Sequence, residues 1–224
     1  MRRLEDELKL LKHKLADMAG LVKQQLRNSI LSILQKDEAL AREVLENEKR
    51  VNAFELSIDR DCERIFTLQN PVANDMRLVF STLKINADME RIGDYAEGIA
   101  KLVLLGENNF DSQLLEIIQV ERMYQTSVEM MDDVVKAYCD EDTARAQAVF
   151  EKDLVLNEVN RNASTIVEAY IREHLDQIQQ ALLIVSVVRK LERVGDHITN
   201  IAEEVIFFKE AKVLKHIDKN NEQR

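Results

Sequence analysis

The chain has 224 residues, 46% of them hydrophobic and 32% charged, with a net charge of −10. That charge disfavours nucleic acid as a partner, because binding it leans on Lys and Arg neutralising phosphates. No apolar run is long enough to span a bilayer, and the N-terminus has no apolar signal core. Two cysteines far apart in the sequence, Cys62 and Cys139, predict a cytoplasmic protein with free thiols. With only one proline and five glycines, loops are scarce and long helices must account for most of the chain.

The first helix is read from Leu4, Leu8, Leu11, Leu15, Met18, Val22, Leu26, Ile30 and Ile33, which step by three or four. A second starts near Asp37 and runs through Val51, Phe54, Ile58, Cys62 and Ile65 towards Leu68. Asn70-Pro71 stops it, and Pro71 suits the first turn of a third helix ending near Gly106. The segment GENNFDS is a turn-rich connection. The pattern then repeats: a fourth helix over 111–139, with Leu114, Ile117, Val120 and Met123 on one stripe, a fifth over 142–173 and a sixth over 176–209. The polar tail KHIDKNNEQR is expected to fray. The expected fold is all-α: six long helices forming two tandem antiparallel three-helix bundles, residues 1–109 and 110–224.

A phrase recurs in the third helix of each unit, Glu90-Arg-Ile-Gly-Asp94 and Glu192-Arg-Val-Gly-Asp196. Acids four apart share a helix face and repel. Met76, Phe80, Leu83 and Ala87 lead into the first pair, and Ile178, Leu182, Val185 and Arg189 into the second. These stripes are expected to face the bundle core, where acids must be paired or hold a metal. Folding helices two and three over Pro71 sets Asp94 against Glu48 and Glu90 against Asn52. Folding five and six between His174 and Leu175 sets Asp153 and Asn157 against Glu192 and Asp196 in the same way. Each constellation offers three carboxylates and one carboxamide, a hard oxygen set suited to Mg²⁺, Mn²⁺ or Ca²⁺ and also open to iron or zinc. The competing reading is salt bridging. Arg91 and Arg193 adjoin the acids but point about 100° away on a helix of 3.6 residues per turn, whereas Arg189, three before Glu192, is placed to neutralise it. Gly93 and Gly195 read as close-packing positions that also leave room for a ligand. The methionines read as core filler, and His197 as a polar surface or supporting group.

Glu-x-x-His pairs, Gly-rich phosphate loops and nucleophile elbows are all missing, which argues against catalysis. The alternative is a metal-dependent phosphohydrolase built on the acid clusters. A plain coiled coil is disfavoured because the stripes drift between three and four.

LQNPVANDMRLVFSTLKINADMERIGDYAEGIA and VVRKLERVGDHITNIAEEVIF resemble the two signatures of the PhoU family of phosphate-signalling regulators. The resemblance covers essentially the whole chain. It implies a fold of two tandem three-helix bundles and metal ions held by acid-x-x-x-Asp pairs, here Glu48/Asn52 with Glu90/Asp94 and Asp153/Asn157 with Glu192/Asp196. Asn52 and Asn157 depart from the aspartate usual there, so each site has one charge fewer. The resemblance also implies a non-enzymatic adaptor and negative regulator. Its partners would be a sensor histidine kinase and the ATPase subunit of a phosphate ABC transporter, with peripheral membrane association through them. A homodimer is expected.

Overall fold

The computed structural model describes residues 2–105 and 110–213. The expected unit boundary at 109/110 meets the segment 106–109, which lies outside the described residues together with most of the GENNFDS connection and the expected tail. Helices α1 (Arg2–Leu34), α2 (Glu38–Gln69) and α3 (Asn74–Leu105) pack on one another. So do α5 (Val120–Asp140), α6 (Thr143–Glu173) and α7 (Ile178–Glu210), with the short α4 (Ser112–Ile118) leading into them. No strand occurs among the described residues.

The same punctuation starts the middle helix of each unit. Lys36 and Glu141 adopt left-handed backbone at φ 55° and 58°. Asp37 and Asp142 follow as N-caps, their carboxylates accepting from the Ala39 and Arg145 amides at 2.8 and 3.0 Å. Each cap satisfies an amide that the helix cannot, typically stabilising by about 1 kcal/mol. Counting from these caps aligns each position of α1 and α2 with the one 105 further along in α5 and α6.

The two bundles join along α3 and α7. Lys84 pairs with Glu204 at 2.9 Å and Asp88 with His197 at 2.7 Å, while Gly98 lies against the Lys190 side chain. Partners rise on one helix as they fall on the other, so the helices are antiparallel, and Gly93 comes level with the segment around Val194. The two acid pairs therefore flank the middle of one seam.

Four expectations need correction. The fourth helix is broken: Gln119 sits at φ 67°, its amide donating to the Leu115 and Glu116 carbonyls. Ile118 and Val120, on either side of the break, are both buried. Ile117, placed on the stripe, is exposed. Pro71 precedes α3 by a turn, because Ala73 is left-handed at φ 47° and the helix begins after it. The core face of α3 is Leu78, Ile85, Met89, Ile92 and Ala96, not the stripe through Met76 and Phe80. Phe80 is 48% exposed and Leu182, on α7, 56%. The acids thus lie at the edge of the core rather than within it, and Met76 is surface, not filler.

Candidate functional site

Each acid pair meets an acid from the neighbouring helix. Glu48 on α2 is 6% exposed. Burial raises its pKa first of all; a bond from Gln25 opposes this, and Asp94, Glu97 and Glu90 add repulsion. Asp153 on α6 is pushed up to about 6 from an ordinary 3.8, by burial and then by Asp196 and Glu192, against a bond from Asn157. Burial likewise raises Glu90 and Glu192, each then repelled by the second acid of its own pair and relieved by the adjacent arginine. The folded hairpins thus bring together Glu48, Glu90 and Asp94 in one unit, and Asp153, Glu192 and Asp196 in the other.

The carboxamides behave differently. Asn52 is exposed. Asn157 donates to Asp153 Oδ2 at 2.7 Å, so its amide nitrogen rather than its oxygen is turned to the acid.

Arg91 and Arg193 do reach the acids, contrary to the reading from direction alone. Arg91 lies 3.1 Å from Asp94 and 3.7 Å from Glu90, and Arg193 lies 2.9 Å from Asp196 and 3.7 Å from Glu192. The long side chain folds forward one turn, which its backbone direction does not prevent. Arg189 is exposed and makes no ion pair with Glu192. Both pairing arginines are about 60% exposed at the side chain, so these are surface pairs worth about 0–1 kcal/mol.

The glycines make room for the carboxylates themselves. A Cβ on Gly195 would sit 2.5 Å from both Asp153 Oδ1 and Leu156 Cδ1. On Gly93 it would lie 3.3 Å from Gln25 Oε1 and 3.4 Å from Glu48 Oε2. Two of these oxygens, Gln25 Oε1 and Asp153 Oδ1, are buried and accept no hydrogen bond, and neither does Glu48 Oε1, the other oxygen of the Glu48 carboxylate. An unmet buried acceptor typically costs about 1–3 kcal/mol, and a bound cation would satisfy it. Among the described residues, no three carboxylate, imidazole or thiol groups converge closely enough as placed to hold an ion. The donor chemistry fits a hard cation; ligation requires the partly exposed Glu90, Asp94, Glu192 and Asp196 to rotate inward towards the buried oxygens.

Two residues escape sequence reasoning. Gln25 on α1 is 1% exposed and donates to Glu48 Oε2 at 3.1 Å and to the Val44 carbonyl at 3.3 Å. Its one signal is a polar residue beside Leu26, leading a short run of buried polar positions, Asn28, Ser29 and Ser32, on the first helix. Glu55 is desolvated, and repelled by Asp59 and Asp94. It stands seven positions after Glu48, two helical turns along the same face. Between the two sites, His197 accepts or donates at Asp88 and tilts over the Tyr95 ring at 5.7 Å, so it belongs to the seam between repeats.

A family profile described as "PhoU domain" matches the chain twice, over residues 15–103 and 120–205. A Thermotoga maritima protein named "Phosphate-specific transport system accessory protein PhoU homolog 1" is 33% identical over 212 residues, covering 94% of this chain and 90% of the relative. The Escherichia coli K12 protein of the corresponding name is 29% identical over 211 residues, covering 94% and 87%. The crystal structure of PhoU from Pseudomonas aeruginosa superposes with a TM-score of 0.87 at 30% identity, covering 93% of this chain and 99% of that one. That of the phosphate transport system regulatory protein PhoU from Streptococcus pneumoniae gives 0.82 at 25% identity, covering 94% and 99%.

Proposed function

The chain belongs to the PhoU family, and from that membership we propose that it is a regulatory accessory protein of phosphate transport. It restrains phosphate uptake and phosphate-starvation signalling as a cytoplasmic, homodimeric adaptor between the ATPase subunit of a phosphate ABC transporter and a sensor histidine kinase. The observation that carries this reading is the family match in both repeats, together with relatives named for the phosphate-specific transport system. Among the described residues no helix is long and apolar enough to cross a membrane, so its place at the transporter comes from its partners.

The sites support a cation-binding role within that function. Glu48, Glu90 and Asp94 would hold one cation, and Asp153, Glu192 and Asp196 another. When bound, a cation neutralises the acids and ties α2 to α3 and α6 to α7. This chain's own residues do the rest. Gly93 and Gly195 admit the buried acids to the backbone of the partner helix, and Arg91 and Arg193 hold the outer acids by weak surface pairs that a cation can displace.

Co-purification of the full chain with the transporter ATPase and with the sensor kinase tests the adaptor role. Both are expected to be retained, and deletion of the gene is expected to raise phosphate-responsive transcription in rich phosphate. Failure of both proteins to bind, with unchanged transcription, overturns the proposal.

A further inference from the structure

The two acid pairs are not copies of one another. The counterparts of Gln25 and Glu55, found by counting from the matching left-handed residues and N-caps, are Met130 and Asn160. Met130 is fully buried, so the position equivalent to Gln25 carries a thioether in the second repeat where the first carries a carboxamide. A thioether is a soft, weak donor and a carboxamide oxygen a hard one.

The orientation of Gln25 is fixed by its neighbours. Its Nε2 faces two acceptors, Glu48 Oε2 and the Val44 carbonyl. Its Oε1 must then point the other way, to the spot beside Gly93 that Glu48 Oε2 also approaches. There Oε1 and the neighbouring Glu48 Oε1 are buried with no donor. Nothing apolar about the fold requires an amide at this place, since Met130 fills the equivalent one. Outside this buried pair stands Glu55, close enough to raise Glu90 by repulsion and to be relieved by Arg91. Asn160 puts no charge at the matching position of the second repeat.

We infer that Gln25 and Glu55 make the first acid pair the high-affinity site for a hard divalent cation, with the second pair filling only afterwards. The inference rests on the cation-binding reading above. Gln25 Oε1 and Glu48 form the fixed, buried side of the site. Glu55, Glu90 and Asp94 form the movable side, and bring the charge that a hard cation needs after Asn52 has removed one.

Mn²⁺ is the probe, titrated calorimetrically into metal-free full-length protein, with bound ion followed by electron paramagnetic resonance. The wild type is expected to fill one site at least tenfold more tightly than the second. Gln25→Met with Glu55→Asn writes the second repeat's residues into the first, and is expected to lower the tight step to the level of the weak one. The reciprocal pair, Met130→Gln with Asn160→Glu, is expected to tighten the weak step, a gain that misfolding cannot imitate. If the two steps are equal in the wild type and neither double variant moves them, while Asp94→Ala and Asp196→Ala each abolish one, the inference is overturned and the cation-binding reading stands. If the wild type binds no Mn²⁺, both fall.

Discussion

Glu48 in the first repeat and Asp153 in the second occupy equivalent places, and the protein supports them in opposite ways. Glu48 has one more methylene, lies deeper, and receives a bond from Gln25 on the far side, away from solvent. Asp153 receives its bond from Asn157, one turn along its own helix. Gly93 faces its acid at ordinary close contact, whereas Gly195 faces Asp153 and Leu156 with no space at all. Duplication thus preserved the acids while the surroundings diverged. A three-helix unit can rebuild the wall behind a functional group more freely than the group itself.

The largest expected difference comes from filling the two glycines. Overpacking a buried contact costs about 1–3 kcal/mol, while alanine recovers up to about 1 kcal/mol of helix propensity over glycine. Gly195→Ala must displace Asp153 and the buried Leu156 from 2.5 Å, so a net loss of about 2 kcal/mol is expected after propensity is counted. In a chain of this size that lowers the melting temperature by roughly 4–8 °C. At Gly93 the contacts are 3.3–3.4 Å, two of them with side-chain oxygens, and loss and gain should nearly cancel. Equal melting temperatures for Gly93→Ala and Gly195→Ala would break the comparison. Gly98→Ala is the control: its Cβ meets only the flexible end of Lys190, and no loss is expected.

A smaller difference should appear in pH. The Asp153 carboxyl holds its proton up to about 6 in the fold, against an ordinary 3.8. The native state therefore binds a proton that the unfolded chain has already released. Stability falls as pH rises between about 4 and 6, and the penalty is complete above that range. In chelator, the protein is expected to melt higher at pH 5 than at pH 7.5. Asp153→Asn should remove part of that slope and stabilise the protein at pH 7.5 by about 1 kcal/mol, a value reduced for the partial exposure of the site. Glu48→Gln should change the slope in the same direction, because burial raises that carboxyl as well. A slope of the opposite sign after Glu48→Gln would remove burial as the shared cause.

Much of this was legible from residue order. Long helices follow from the scarcity of glycine and proline, and the hairpin registers follow from folding about Pro71 and His174-Leu175. Those registers set Glu48 against Asp94, and the repulsion between them in the fold is the physical consequence. The break at Gln119 is not legible in the sequence, because a left-handed glutamine leaves no glycine to mark it. The buried face of α3 is not legible from spacing, because two apolar rows run side by side. Leu78, Ile85, Met89 and Ile92 form the buried row, while Met76, Phe80 and Leu83 form one that is only partly covered. Periodicity alone does not say which row meets another helix. Gln25 was invisible for another reason: its meaning lies in Glu48, 23 positions away on a different helix.

The smallest expected effect separates ion pairing from cation binding. Arg91 and Arg193 make matching surface pairs, at 3.1 and 2.9 Å to their aspartates. Replacing either by alanine should change stability by no more than about 0.5 kcal/mol, because exposed pairs gain little over hydration. If the acids exist chiefly to form salt bridges, nothing else should follow. If they exist to hold a cation, each arginine competes with it, and Arg193→Ala should tighten Mn²⁺ binding more than Arg91→Ala does. The reason lies in charge. Arg193 offsets one charge among the three acids of the second site, whereas in the first site Arg91 faces Glu55 in addition to Glu90 and Asp94, with Glu48 adding a fourth acid. Calorimetric titration of the two variants reads this directly. Equal, unchanged affinities would return both acid pairs to ordinary surface electrostatics.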